Sequence, residues 1–119
     1  RCPRCGEEMT TNLRADEFFV EDAGWHAAAE RYEDWLARSE RRRMLLLELG
    51  VGASTPGIIK YPFWALTKEN PAALYCVMNR GEAVAPQEIA AQSILVDEDI
   101  DASLKALQEA MERSARHGD

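Results

Sequence analysis

The sequence predicts an α/β half-domain built on a parallel sheet, preceded by part of a small metal-binding module, and three observations carry that expectation. Apolar runs of helical and of strand-like period alternate along the chain in the order helix, strand, helix, strand, short helix, strand, helix. Such alternation implies parallel strands joined by crossover helices. A glycine-rich break, "ELGVGAST" at 48–55, separates the first strand-like run from the helix after it. The opening stretch "CPRCG" carries two cysteines at C-x-x-C spacing, which can grip one tetrahedral metal ion; a redox pair would need a helix start after a strand, and "GEEMTTN" offers neither.

Asp22 is placed to cap the first helix, 22–40, in which Trp25, Ala28, Ala29, Tyr32, Trp35 and Leu36 recur at the spacing of one buried helical face. "MLLLEL", 44–49, is a short apolar run between a charge cluster and the glycine loop, and is expected to be a strand buried on both faces. After Thr55, Pro56 suits a first helical position, and the helix carries Ile58, Ile59 and Phe63 until "KENP" ends it. Pro62 interrupts the pattern, so this helix is expected to be short or bent. "AALYCVM", 72–78, and "SILV", 93–96, are the second and third strands. The last helix places Ile100, Leu104, Leu107 and Met111 on one face, with Asp99 or Asp101 as its cap.

The 119 residues fit a single domain, and 46% hydrophobic with 29% charged residues describe a globular chain. No window offers the roughly 20 apolar residues of a membrane span, and "RCPRCGEEM" has no signal-peptide apolar region, so the expected compartment is the cytoplasm. A net charge of −7 opposes a nucleic-acid backbone. The one basic run, Arg38 to Arg43, reads as a solvated helix end. The chain opens at Arg1 and Cys2 in the middle of what looks like a motif, and is expected to be a fragment whose partner segment lies upstream.

In a parallel sheet, ligands bind beyond the carboxyl ends of the strands. Gly50 and Gly52 remove the Cβ atoms that would keep a phosphate or ribose from the main chain, and Ser54 and Thr55 add hydroxyls, so the loop reads as a nucleotide cradle. A plain strand-to-helix turn is the other reading. The dinucleotide fingerprint lacks its third glycine, since Thr55 stands there, and no Gly-Lys-Ser/Thr of a phosphate-binding loop is present. Asn79, at the end of the second strand, is placed to bond a ribose, or else belongs to a turn made by Gly81. Cys2 and Cys5 are expected to hold zinc; His26, Cys76 and His117 are poor completions of the set, so the missing ligands are expected upstream. His26 reads as a packing or solvent-facing residue rather than a general base.

Taken together, "CPRCG", "LLLELGVGAS", "YCVMN" and "DEDIDASLKAL" resemble, in order and spacing, the later half of a sirtuin, the NAD-consuming protein deacylase and ADP-ribosyltransferase family. "NLRADEFFVED", "GWH", "STPGIIKYPF" and "NRGEAV" are most similar to its macrodomain-linked class M branch. The resemblance implies a Rossmann-like, sirtuin-type half-domain over 21–119, and a remnant of the zinc module with a substrate-side connection over 1–20. It implies that Gly50, Gly52, Ser54 and Thr55 line the NAD path, that Asn79 meets the adenosine ribose, and that Asp99 and Ile100 lie against adenine. Asn12, Leu13 and Arg14 take the place of the substrate-gripping segment and depart from the acyl-lysine pattern. The implied activity is protein ADP-ribosylation or NAD-dependent deacylation, with NAD and zinc as cofactors and a lipoylated carrier protein as acceptor. The catalytic residues are expected upstream, so this stretch alone should be inactive. A nucleotide-sensing binding module without turnover is the alternative, and an oxidoreductase half-domain is a third reading that Asn79 disfavours.

Overall fold

The computed structural model describes residues 1–15 and 17–116. The chain divides into two compact units, Arg1–Arg38 and Ser39–Asp119. In the first, Asp22 caps helix α1 (Ala23–Ser39): its Oδ1 accepts the Trp25 amide at 2.8 Å. The helix forms where the apolar spacing places it, but none of its residues is buried, and Trp25, Tyr32 and Trp35 remain 46%, 47% and 45% exposed. The expectation of a buried face is therefore corrected. A period of 3.6 residues sets a helix, whereas burial needs an opposing apolar surface. The rings pack on their neighbours instead, Tyr32 stacking on Trp35 and Trp25 meeting His26 edge-on at 5.1 Å.

In the second unit, β1 (Met44–Leu49), β2 (Ala73–Met78) and β3 (Ser93–Val96) form a parallel sheet in that order. Met44 pairs with Ala73 and Tyr75 with Ser93. Helix α2 (Lys60–Glu69) and a 3₁₀ helix (Gln87–Gln92) lie between the strands, and α3 (Ile100–Arg116) follows. Asp99, rather than Asp101, caps α3 by accepting the Ala102 amide at 3.1 Å. The helix after the glycine loop starts later than Pro56 suggests. Residues 56–59 are turns, Ile58 is 82% exposed, and α2 begins at Lys60. Pro62 then falls in its first turn, where an amide has no helical acceptor to lose, so the helix runs through it to Glu69.

Parallel register puts partners on the same face, and the two faces of this sheet differ. Met44, Leu46 and Glu48 of β1 and Ala73, Tyr75 and Val77 of β2 are all buried, with α2 packed over them and Ile89 of the 3₁₀ helix in the same core. On the other face Leu45, Leu47, Leu49 and Leu74 are exposed. An open groove of about 600 Å³ lies between that face and α3, lined by Leu45, Leu47, Met78, Ile94, Ala106 and Leu107. The expectation that β1 is buried on both faces is thus corrected: α3 passes over the second face without closing on it, and no residue of α3 is buried. Cys76 and Met78, on the middle strand, are the parts of that face that become buried. Burial pushes the Cys76 thiol above its ordinary pKa.

The closed face is held by a polar cluster. Lys60 donates to Glu48 Oε1 at 2.5 Å and Tyr75 donates its hydroxyl to Oε2 at 2.7 Å, with Glu48 and Lys60 1% and 3% exposed. Glu48 ends β1 but for one residue and Lys60 begins α2, so the pair clamps both ends of the loop between them. Two charges taken from water stabilise a fold only when each satisfies the other, and here both carboxylate oxygens are engaged. The Trp64 indole N–H is buried with no acceptor in hydrogen-bond geometry, although it lies close enough to draw the Tyr75 pKa slightly down. Desolvation and the Glu48 carboxylate outweigh it and push the Tyr75 hydroxyl well above its ordinary value.

Lys60→Met strands the Glu48 carboxylate and is expected to destabilise the chain by about 3–5 kcal/mol in urea unfolding, while the triple variant Glu48→Leu, Lys60→Met, Tyr75→Phe recovers most of the loss. Because folding raises the Tyr75 pKa, its contribution is fully present below the unfolded value of about 10 and is lost as pH rises beyond it. Thermal melting from pH 9 to 12 should therefore show a fall that begins above about pH 10 and that Tyr75→Phe flattens.

Candidate functional site

The carboxyl ends of the three strands converge on one stitched edge. Leaving β1, Gly50 has φ of +67° and donates its amide to the Met78 carbonyl at 3.0 Å. The left-handed backbone favours glycine, and a Cβ there would sit 3.1 Å from Ile100 Cδ1, close enough that the isoleucine would have to give way slightly. Asn79 leaves β2 with its amide on the Val96 carbonyl at 3.1 Å and its side-chain Nδ2 on the Val51 carbonyl at 3.2 Å. Gly81, at φ +81°, donates its amide to Asp97 Oδ1. The exposed Arg80 guanidinium lies 3.5 Å from Asp99, a pair too open to water to add much stability.

Of the residues expected to form the cofactor path, the structure brings Gly50, Gly52, Asn79, Asp99 and Ile100 to this edge. Ser54 and Thr55 extend from it in exposed turn conformation. The helix N-terminus expected immediately after Thr55 is displaced to Lys60, so no helix dipole acts directly on these hydroxyls. What the loop offers is main chain. Among the described residues the amides of Gly52, Ser54 and Thr55 have no acceptor, while that of Ala53 is held by Glu82 Oε2 at 3.0 Å. Unpaired, exposed amides beside a glycine are the elements of an anion- or sugar-binding cradle. A recess of about 240 Å³, lined by Ala53, Pro56, Lys60, Trp64, Gly81 and Glu82, adjoins the loop.

In the unit Arg1–Arg38 the remaining candidates have local partners. Asn12 closes the segment to Val20 by donating to its carbonyl at 3.0 Å and accepting its amide at 2.8 Å. Arg14 pairs with Glu21 and lies 4.3 Å over the Phe19 ring, while Leu13 is exposed. Cys2 and Cys5 stand in a tight turn closed by the Gly6 amide on the Cys2 carbonyl at 2.8 Å, with Gly6 at φ +78°. The amides of Cys5 and then Arg4, followed by the Cys5 thiol, hold the Cys2 pKa below the usual thiol value. Amides directed at a sulfur favour the thiolate that a metal binds, so the pair fits half of a tetrahedral zinc set. Among the described residues no group of three or more His, Cys, Asp and Glu side chains assembles to complete it. His26 is exposed beside Trp25, and His117 lies outside the described residues.

Sequence reasoning missed Glu48, Lys60, Tyr75 and Glu82. The signal for Glu48 was its place in "MLLLEL" at the same parity as Met44 and Leu46, but with leucine on both faces hydrophobic pattern alone cannot say which parity is inside. Glu82 had no local signal, because its partner lies 29 residues away.

No protein-family model matches the chain. It is 39% identical over 101 residues, 84% of its length, to a protein ADP-ribosyltransferase of Staphylococcus aureus, of which the match covers 32%. It is also 33% identical over 63 residues, 51% of its length, to a probable bifunctional ADP-ribose hydrolase/ADP-ribosyltransferase of Fusarium oxysporum f. sp. cubense, covering 10% of that protein. The chain therefore spans about a third of the first relative and a tenth of the second. Its similarity supports an ADP-ribosyltransferase-like relationship, borne on an α/β fold with a parallel sheet.

Proposed function

We propose that this chain is the later part of a sirtuin-like, NAD-consuming protein ADP-ribosyltransferase of the macrodomain-linked branch, with residues 21–119 forming half of a Rossmann-like NAD-binding domain. The observation that carries the reading is the loop 50–55, whose unpaired amides stand at the carboxyl edge of a parallel sheet in a chain similar to named ADP-ribosyltransferases. The name of the Fusarium protein, which joins an ADP-ribose hydrolase to an ADP-ribosyltransferase, adds support for the transferase reading. In this reading Gly50 and Gly52 admit the sugar-phosphate, Ser54 and Thr55 bond it, Asn79 turns its side-chain oxygen Oδ1 to the adenosine ribose, and Asp99 and Ile100 border the adenine.

NAD supplies the ADP-ribosyl group through its nicotinamide glycosidic bond. The residues of this chain orient and dehydrate the dinucleotide, so positioning outweighs any nucleophile they could offer. The open apolar face of the sheet fits a half-domain whose second covering layer comes from other residues of a longer protein. Cys2 and Cys5 hold a structural zinc together with ligands from outside the described residues, and the acceptor is a protein such as a lipoylated carrier, met in the cytoplasm. Lysine deacylation by the same site, and a sensor that binds NAD without turnover, are the competing readings.

Incubating the full-length protein with NAD and a lipoylated carrier should release nicotinamide and add ADP-ribose to the carrier by mass. Release that depends on an acylated lysine peptide favours deacylation, tight binding without release favours the sensor, and no binding removes the proposal. Ser54→Trp should abolish NAD binding while leaving the melting temperature nearly unchanged, and unaltered affinity would exclude Ser54 from the path. Replacing Cys2 and Cys5 by serine should remove stoichiometric zinc by elemental analysis, and retained metal would place its site elsewhere.

A further inference from the structure

Two residues leaving β2 grip the glycine loop on either side of Gly52. Asn79 donates to the Val51 carbonyl at 3.2 Å, and Glu82 accepts the Ala53 amide at 3.0 Å. A Cβ on Gly52 would stand 3.0 Å from the same Glu82 oxygen, so the carboxylate lies close against the glycine and would have to shift by a few tenths of an ångström to admit a side chain. Neither contact is local: the partners are 28 and 29 residues apart. Glu82 is itself exposed, and its carboxylate borders the recess beside the loop together with Ala53 and Pro56.

The chemistry of the contact separates one loop amide from the rest. The Glu82 oxygen accepts the Ala53 amide at 3.0 Å, an ordinary hydrogen-bond distance. The bond to Ala53 thus fixes the peptide plane next to Gly52, the residue least able to hold its own conformation. Among the described residues, the amides of the next two residues, Ser54 and Thr55, have no backbone acceptor. A pinned plane followed by unpaired donors is a preorganised arrangement, in which the ligand need not order the loop on binding.

We propose that Glu82 is a positioning residue for the nucleotide loop, holding Ala53 so that Ser54 and Thr55 are set to receive a sugar-phosphate; this rests on the loop being the cofactor site. Its role lies in the acceptor oxygen. A negative charge beside a diphosphate would by itself weaken binding, so an uncharged acceptor in its place should serve as well.

The test compares Glu82→Ala and Glu82→Gln in the full-length protein, with ADP-ribose binding followed by calorimetry and loop amide exchange by mass spectrometry without ligand. Glu82→Ala should weaken ADP-ribose binding about tenfold and speed exchange in the peptide that contains Ala53. Glu82→Gln should restore both to within about twofold of the parent. Tighter binding by Glu82→Ala would show that the carboxylate competes with the ligand, and unchanged binding would show that the tie is idle; either overturns the proposal. A glutamine variant as weak as alanine, with exchange still slow, would place the effect in the charge and also overturn it. A parent protein that does not bind ADP-ribose while exchange still responds to Glu82 would remove the cofactor reading and reduce Glu82 to a brace of the turn.

Discussion

A carboxylate shut inside a sheet sets the terms for the rest of this unit. Glu48 has virtually no contact with water, and its charge is tolerable only because Lys60 and Tyr75 occupy both of its oxygens. Lys60 is the residue at which α2 starts, and an ammonium at that end of a helix would on its own oppose the helix dipole. The pairing therefore does two things: it neutralises the start of the helix and fixes how far the chain can wander between strand and helix. The intervening loop, 50–59, is a closed span with anchored ends.

Within that span the chain is stitched from the neighbouring strand ends. Met78 receives the Gly50 amide, Asn79 holds the Val51 carbonyl, Glu82 holds the Ala53 amide, and Ile100 presses on Gly50. Each contact joins elements far apart in sequence, and each falls at the carboxyl edge where a parallel sheet offers its crevice. The ties stop at Ala53. The polarity of the edge is also divided, since Glu82, Asp97 and Asp99 gather on the β2 and β3 side while the unpaired donors of Ser54 and Thr55 lie on the β1 side. Such a division suits a ligand with hydroxyls at one end and phosphates at the other.

The apolar half of the sheet follows a different logic. Leu45, Leu47 and Leu74 sit at strand positions but have no covering layer among the described residues, and α3 leaves a groove over them. Along α1 the same thing occurs with aromatic residues: Trp25, Tyr32 and Trp35 occupy one helical stripe and stay half exposed.

The order of helices and strands was legible in local patterns of the chain. The runs "MLLLEL" and "SILV" marked strands whose bounds the structure reproduces, and Asp22 and the alternation of helix and strand announced a cap and a parallel sheet. Those signals are local, because period and capping act over a few residues. Which side of β1 faces inward, where α2 begins, and which carboxylates hold the loop were settled only by tertiary structure. Leucine on both parities of β1 hid the inner face until α2 brought Lys60 against Glu48, and Pro56 looked like a helix start until that same pairing set the start at Lys60. Glu82 and Asn79 acquired partners when parallel pairing carried the end of β2 to the end of β1, a proximity that no local pattern encodes.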